Sequence, residues 1–108
     1  MVEKMAKTPE GRVKAAVKKL FDEKKIWYYQ PVQNGMGRVG IPDFICCYQG
    51  RFLAVETKAP GRVNDVTPNQ HFVLQEIREH GGFSVVVDSV ETLKEHLQAV
   101  AVMCKLED

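Results

Sequence analysis

Two carboxylates and an ammonium interrupt the most strand-like part of this chain. In "GIPDFICCYQGRFLAVETKAPG", Gly40 to Gly61, Asp43 opens one apolar run, and Glu56 and Lys58 close the next. Asp43–Tyr48 and Arg51–Lys58 read as strands, with Gln49-Gly50 as a two-residue turn, a weaker hairpin signal than Asn-Gly. Such a turn sets Tyr48 opposite Arg51, Cys47 opposite Phe52, Ile45 opposite Ala54, Phe44 opposite Val55 and Asp43 opposite Glu56. Directly opposed residues have Cβ atoms about 4.5–5.5 Å apart. Lys58, two residues beyond Glu56, points to the same side if the strand continues. A three-residue turn would make the acids diagonal; a four-residue loop would keep them opposite.

Like charges facing each other destabilise a sheet. Both faces of this hairpin also carry apolar residues, the pattern of an interior strand pair covered on both sides. Acids there need water or a counter-charge, and a divalent cation held by oxygens supplies it. Mg²⁺ takes one or two carboxylates together with waters and substrate phosphates. A lysine beside it suits work on a phosphate or on a metal-bound water. Each motif alone is cheap: Pro-Asp can simply begin a strand, and a second Glu-x-Lys stands at Glu23-Lys24-Lys25, on a solvated helix end. The juxtaposition carries the signal.

The rest of the chain supplies the elements that position these groups. "TPEGRVKAAVKKLFDEKKI" reads as a helix, with Thr8 as N-cap, Pro9 at its first position and an apolar stripe of Val13, Ala16, Val17, Leu20 and Phe21. Lys14, Lys18, Lys19 and Lys25 lie mostly off that stripe and read as a solvated face. "IWYYQPV" reads as a short strand closed by Pro31, and the glycine-rich "QNGMGRVG" as a loop. "APGRVND" is a second loop. "TPNQHFVLQEIREHGG" repeats the Thr-Pro helix opening and stops at Gly81-Gly82. "FSVVVD" is a buried strand, and "SVETLKEHLQAVAV" a last helix capped by Ser89. The order α-β-β-β-α-β-α implies an α/β fold, a central mixed sheet flanked by helices.

At 108 residues the chain is one domain with room for a real core. Its 44% apolar and 27% charged content is that of a soluble globular protein. No apolar run approaches the roughly 18 residues of a membrane span. The N-terminal "MVEKMAKTPEG" lacks the apolar region of a signal peptide, so a cytoplasmic setting is expected. A net charge of +1 announces no strongly basic nucleic-acid surface, though a local basic patch can cancel against an acidic pocket. The three cysteines match no zinc spacing and read as reduced, buried residues. His71, His80 and His96 read as ordinary helix residues.

"GIPDF", "VETK" and "TPNQ", at Gly40–Phe44, Val55–Lys58 and Thr67–Gln70, together resemble the PD-(D/E)XK nuclease superfamily. The closest likeness is to its VRR-NUC branch, in the small stand-alone forms carried by phages, whose cytosol would be that of a bacterial host. The resemblance spans roughly Thr8 to Asp88 and implies a restriction-endonuclease-like fold and a metal-dependent DNA endonuclease using Mg²⁺ or Mn²⁺. Asp43 and Glu56 match the metal-binding acids, the backbone carbonyl of Thr57 a further ligand, and Lys58 the catalytic lysine. Gln70 matches a glutamine that touches the water or the lysine; its rival reading is a surface helix residue. Glu10 matches the acid such nucleases place on the first helix; its rival reading is an acid favoured by the helix dipole. Arg38, Arg51 and Arg62 flank the hairpin as candidates for backbone phosphate contacts. Tyr28 and Tyr29 could stack on bases, with core or sheet packing as the alternative.

Other classes of function compete with an active nuclease. One is a catalytically idle nucleic-acid-binding module on the same fold, and another an interaction domain whose acids pair with basic neighbours. The intact Asp43, Glu56 and Lys58 favour the enzyme. Paired incisions, in a duplex or across a branched junction, are simplest with two copies on a two-fold axis. A homodimer is therefore expected, with "IWYYQPV" and "LQAVAVM" as interface material.

Overall fold

The computed structural model describes residues 8–33 and 35–107. The first seven residues of the segment read above for a leader lie outside them. The elements are α1 (Pro9–Glu23), β1 (Trp27–Tyr29), β2 (Phe44–Tyr48), β3 (Arg51–Thr57), α2 (Pro68–Glu79), β4 (Phe83–Val87) and α3 (Val90–Glu107). The order is the one the hydrophobic pattern implies. The last helix runs further than expected, because Cys104 extends its buried side beyond Leu93, Leu97 and Val100.

The strands form one four-stranded sheet in the order β1-β2-β3-β4. β1, β2 and β3 are antiparallel neighbours, and β4 joins β3 in parallel. A parallel neighbour needs a crossover, which α2 provides. The β2–β3 register pairs Phe44 with Val55, Ile45 with Ala54, Cys46 with Leu53, Cys47 with Phe52 and Tyr48 with Arg51. Gln49 and Gly50 both have positive φ, 55° and 75°. Such a two-residue loop matches the right-handed twist of the flanking strands.

One sheet face presents Phe44, Cys46, Leu53, Val55, Val85 and Val87 to Val13, Val17, Leu20 and Phe21 of α1 and to Leu93 and Leu97 of α3. Tyr28 joins them, its ring 5.2 Å from Phe21 and 5.9 Å from Phe44. Tyr28 is thus a packing residue, whereas Tyr29 is exposed on the opposite face. α2 covers the β3–β4 half of that second face. Ser84 Oγ donates to the Leu74 carbonyl at 2.8 Å, and Arg78 donates to the Ser84 carbonyl at 2.9 Å, tying helix to strand.

Cys46 and Cys104 are buried and unbridged, and burial pushes the Cys46 thiol up to about 12. Cys47 departs from the expectation: it alternates onto the second face at the half α2 does not cover, and is exposed. No helix among the described residues is long and apolar enough to cross a membrane.

Candidate active site

The hairpin register delivers Asp43 and Glu56 to one end of the sheet, one step beyond the Phe44–Val55 pair. There they grip each other's strands. The Asp43 amide donates to Glu56 Oε1 at 3.1 Å. Asp43 Oδ2 accepts from the Thr57 amide at 2.9 Å and from the Thr57 hydroxyl at 2.6 Å. Each carboxylate is therefore anchored by one oxygen. Each turns the other oxygen to a lysine: Asp43 Oδ1 lies 3.4 Å from Lys14 Nζ, and Glu56 Oε2 lies 3.4 Å from Lys58 Nζ.

Lys58 follows β3 directly, and its amide continues the sheet ladder to the Val87 carbonyl at 2.9 Å. Its ammonium donates to Gln70 Oε1 at 3.0 Å. That oxygen is held in place by local sequence. Thr67 caps α2, its hydroxyl accepting from the Gln70 amide at 3.2 Å while Gln70 Oε1 accepts from the Thr67 amide at 3.1 Å. This is a capping box. "TPNQ" thus starts the helix and aims the glutamine at the lysine with the same four residues. The loop after Lys58 is pinned in turn, the Gly61 amide donating to Asp88 at 2.8 Å.

Gly40 lets the loop before Asp43 pass close over the start of α2. At φ +87°, a Cβ on this residue would stand 2.5 Å from the Asn69 carbonyl oxygen. The glycine therefore sets the distance between the strand bearing Asp43 and the helix bearing Gln70.

Glu56 is only 3% exposed. Burial, reinforced by the Asp43 charge, pushes its carboxyl up to about 7, while Lys58 and the Asp43 amide pull it back in part. The two carboxylates face two ammonium groups, and burial is the larger cause of the Glu56 shift. Two adjacent carboxylates suit Mg²⁺ or Mn²⁺, which take few protein ligands and keep waters or phosphates. Among the described residues no three of His, Cys, Asp and Glu gather as a zinc site would require.

The other sequence candidates are dispersed. Glu10 stands half-buried in the first turn of α1, one turn before Lys14 and on the same helix face. Arg38 pairs with Glu76 on α2. Arg62 pairs with Asp65 in its own loop. Arg51 sits at the turn end of the hairpin, five residues and so about 17 Å along β3 from Glu56. Lys14 corrects the reading of a solvated lysine face. The helical period puts it next to Val17, three residues on and at the edge of the buried stripe, and its side chain is 31% exposed and paired with Asp43. The signal for it was its place four residues after Glu10, a spacing that shares a face.

The VRR-NUC domain family model matches residues 4–91. A solved structure described as a VRR_NUC domain superposes with a TM-score of 0.71 at 25% identity, covering 84% of this chain and 96% of that one. Among curated protein sequences, no significant match was found.

Proposed function

The chain belongs to the VRR-NUC family of nuclease-type domains, and from that premise we propose that it is a divalent-metal-dependent DNA endonuclease. One observation carries the reading: two buried-end carboxylates, each anchored by one oxygen and each turning the other to a lysine. An idle binding module needs no such arrangement.

Asp43 and Glu56, with the Thr57 backbone carbonyl, would hold Mg²⁺ or Mn²⁺; Glu10, on the face of α1 that carries Lys14, is a further candidate. When bound, the cation supplies charge to the scissile phosphate and lowers the pKa of a ligated water. Anchoring Asp43 and Glu56 in advance means that little reorganisation accompanies binding. Lys58, fixed by Gln70, orients the attacking water and meets the charge that develops on the phosphoryl oxygens. Gln70 orients the lysine and offers its amide group to the same water. Arg38, Arg51 and Arg62 would meet phosphates away from the scissile one and set the duplex in register.

The reading extends to a homodimer acting on branched DNA. On the second sheet face Trp27 and Tyr29, on the half that α2 leaves open, and Phe52, at the turn end of β3, are exposed by 64%, 53% and 47%. Along the end of α3, Val102, Met103 and Leu106 are also exposed. Apolar surface of that kind supports a protein partner, and a second copy would supply the second incision. The test is a panel of linear, flapped and four-way DNAs with Mg²⁺ or Mn²⁺ and a chelator control. Light scattering accompanies it. Metal-dependent cutting, favouring branched DNA and shown by a species twice 12.2 kDa, is expected. A species that stays at 12.2 kDa with DNA present would remove the dimer.

A further inference from the structure

We propose that Lys14 is a basic residue of this site that neutralises Asp43 while no metal is bound and passes to the DNA backbone when a divalent cation displaces it. The inference rests on the nuclease reading and adds a residue and a sequence of events to it.

The two lysines of the site are held differently. Lys58 is 11% exposed and donates to Gln70 at 3.0 Å as well as facing Glu56. Lys14 is 31% exposed, and Asp43 is its only ion-pair partner among the described residues. At 3.4 Å its ammonium lies outside ordinary hydrogen-bond range, so the contact is a charge pair without a fixed geometry. Lys14 is therefore the lysine that can move.

It also stands where it must move. Asp43 Oδ2 is already taken by the Thr57 amide and hydroxyl, which leaves Oδ1 as the oxygen for a metal. Oδ1 is the atom that Lys14 faces. A cation at that oxygen replaces one positive charge with two and repels the ammonium. The side chain stays rooted on α1 beside the hairpin end, where a DNA phosphate approaching the metal needs a counter-charge. Lysine suits this handover, as a compact charge on a flexible stem.

The test is a calorimetric titration of Mn²⁺ into the DNA-free, full-length protein and its Lys14→Met and Lys14→Gln variants, with thermal melting to certify the folds. Partly exposed charge pairs are weak, so both variants should bind Mn²⁺ about two- to five-fold more tightly than wild type. Duplex binding is then followed by anisotropy in a Lys58→Ala background, over a range of salt. With Mn²⁺, Lys14→Met should lower the slope of log affinity against log salt by about one, the signature of one lost phosphate contact. With chelator instead, the slope should not change. Equal or weaker Mn²⁺ binding by both folded variants would overturn the exchange at Asp43. An unchanged slope in Mn²⁺ would overturn the transfer to DNA. Failure of the wild type to bind Mn²⁺ at all would instead remove the nuclease reading on which the inference rests.

Discussion

The Asp43 amide donates to Glu56 Oε1 at 3.1 Å, so the backbone of one acid's strand steadies the side chain of the other. That bond offsets only part of the repulsion and burial that hold the Glu56 carboxyl near 7. The metal-free site therefore carries a stored electrostatic penalty, and its pH dependence has a definite sign. Between about 4.5, the ordinary value, and about 7, the folded protein holds the Glu56 proton more tightly than the unfolded chain does. Stability of the metal-free protein then falls as pH rises through that window and stays low above it. The upper bound is about 3–4 kcal/mol, from about 1.4 kcal/mol for each pKa unit. Urea melts in chelator at pH 5 and pH 8 should show a loss for wild type that Glu56→Gln largely lacks. Parallel behaviour of the two proteins would contradict the burial argument. The same proton must leave when a cation binds, so metal affinity should weaken below about pH 7.

Lys58→Ala should separate binding from chemistry. Its ammonium is placed by Gln70 and Glu56 and has no lone pair with which to ligate a cation, so Mn²⁺ binding should survive. Turnover should fall by about 10²–10³, the usual loss for one group that stabilises developing charge. A kcat within a few-fold of wild type, with only KM raised, would make Lys58 a binding residue.

Thr67 is a more distant check on the same geometry. Thr67→Ala removes the hydroxyl that accepts the Gln70 amide and should destabilise the fold by about 1 kcal/mol. It should also slow turnover, because the capping box holds the oxygen that receives Lys58. Thr67→Ser keeps the hydroxyl and should restore both. A variant that loses stability while keeping full kcat would show that the cap shapes the helix alone.

Gly40→Ala introduces a Cβ at 2.5 Å from a backbone oxygen, in a conformation with φ +87°. Neither the loop nor the start of α2 can yield without shifting Asp43 relative to Gln70. Destabilisation of about 1–3 kcal/mol is expected, with a fall in kcat beyond that of alanine substitutions elsewhere in the same loop. Melting and single-turnover rates check this together. Normal rates in a destabilised protein would mean the close approach matters for folding only.

Most of this arrangement was legible in the sequence because it depends on period and turn length. Gln49-Gly50 fixes a register, and that register alone carries Asp43 to Glu56. Thr67-Pro68 starts a helix whose third residue is Gln70. The parts that escaped depend on how elements meet. Lys14 looked solvated because a helical wheel shows the stripe but not which edge of it borders another element. Cys47 looked buried because both faces of the hairpin are apolar, and only the placement of α2 over β3 and β4 decides which half stays open. Gly40 looked like one more loop glycine, since its close partner, Asn69, is far along the chain. For the arginines, the loops that carry them were clear, but not that Arg38 would meet Glu76 or Arg62 meet Asp65.

Single-turnover cleavage by wild type and Asp43→Asn decides whether Asp43 and its partners form a metal-dependent phosphodiesterase centre. Both proteins, purified and shown to be folded, are given the same duplex and four-way DNA in Mg²⁺, in Mn²⁺ and in excess chelator. The expected result is that wild type cuts with either metal and stops in chelator, while Asp43→Asn leaves the DNA almost intact throughout. Cutting at the wild-type rate by the folded Asp43→Asn variant, or undiminished cutting in chelator, would contradict it.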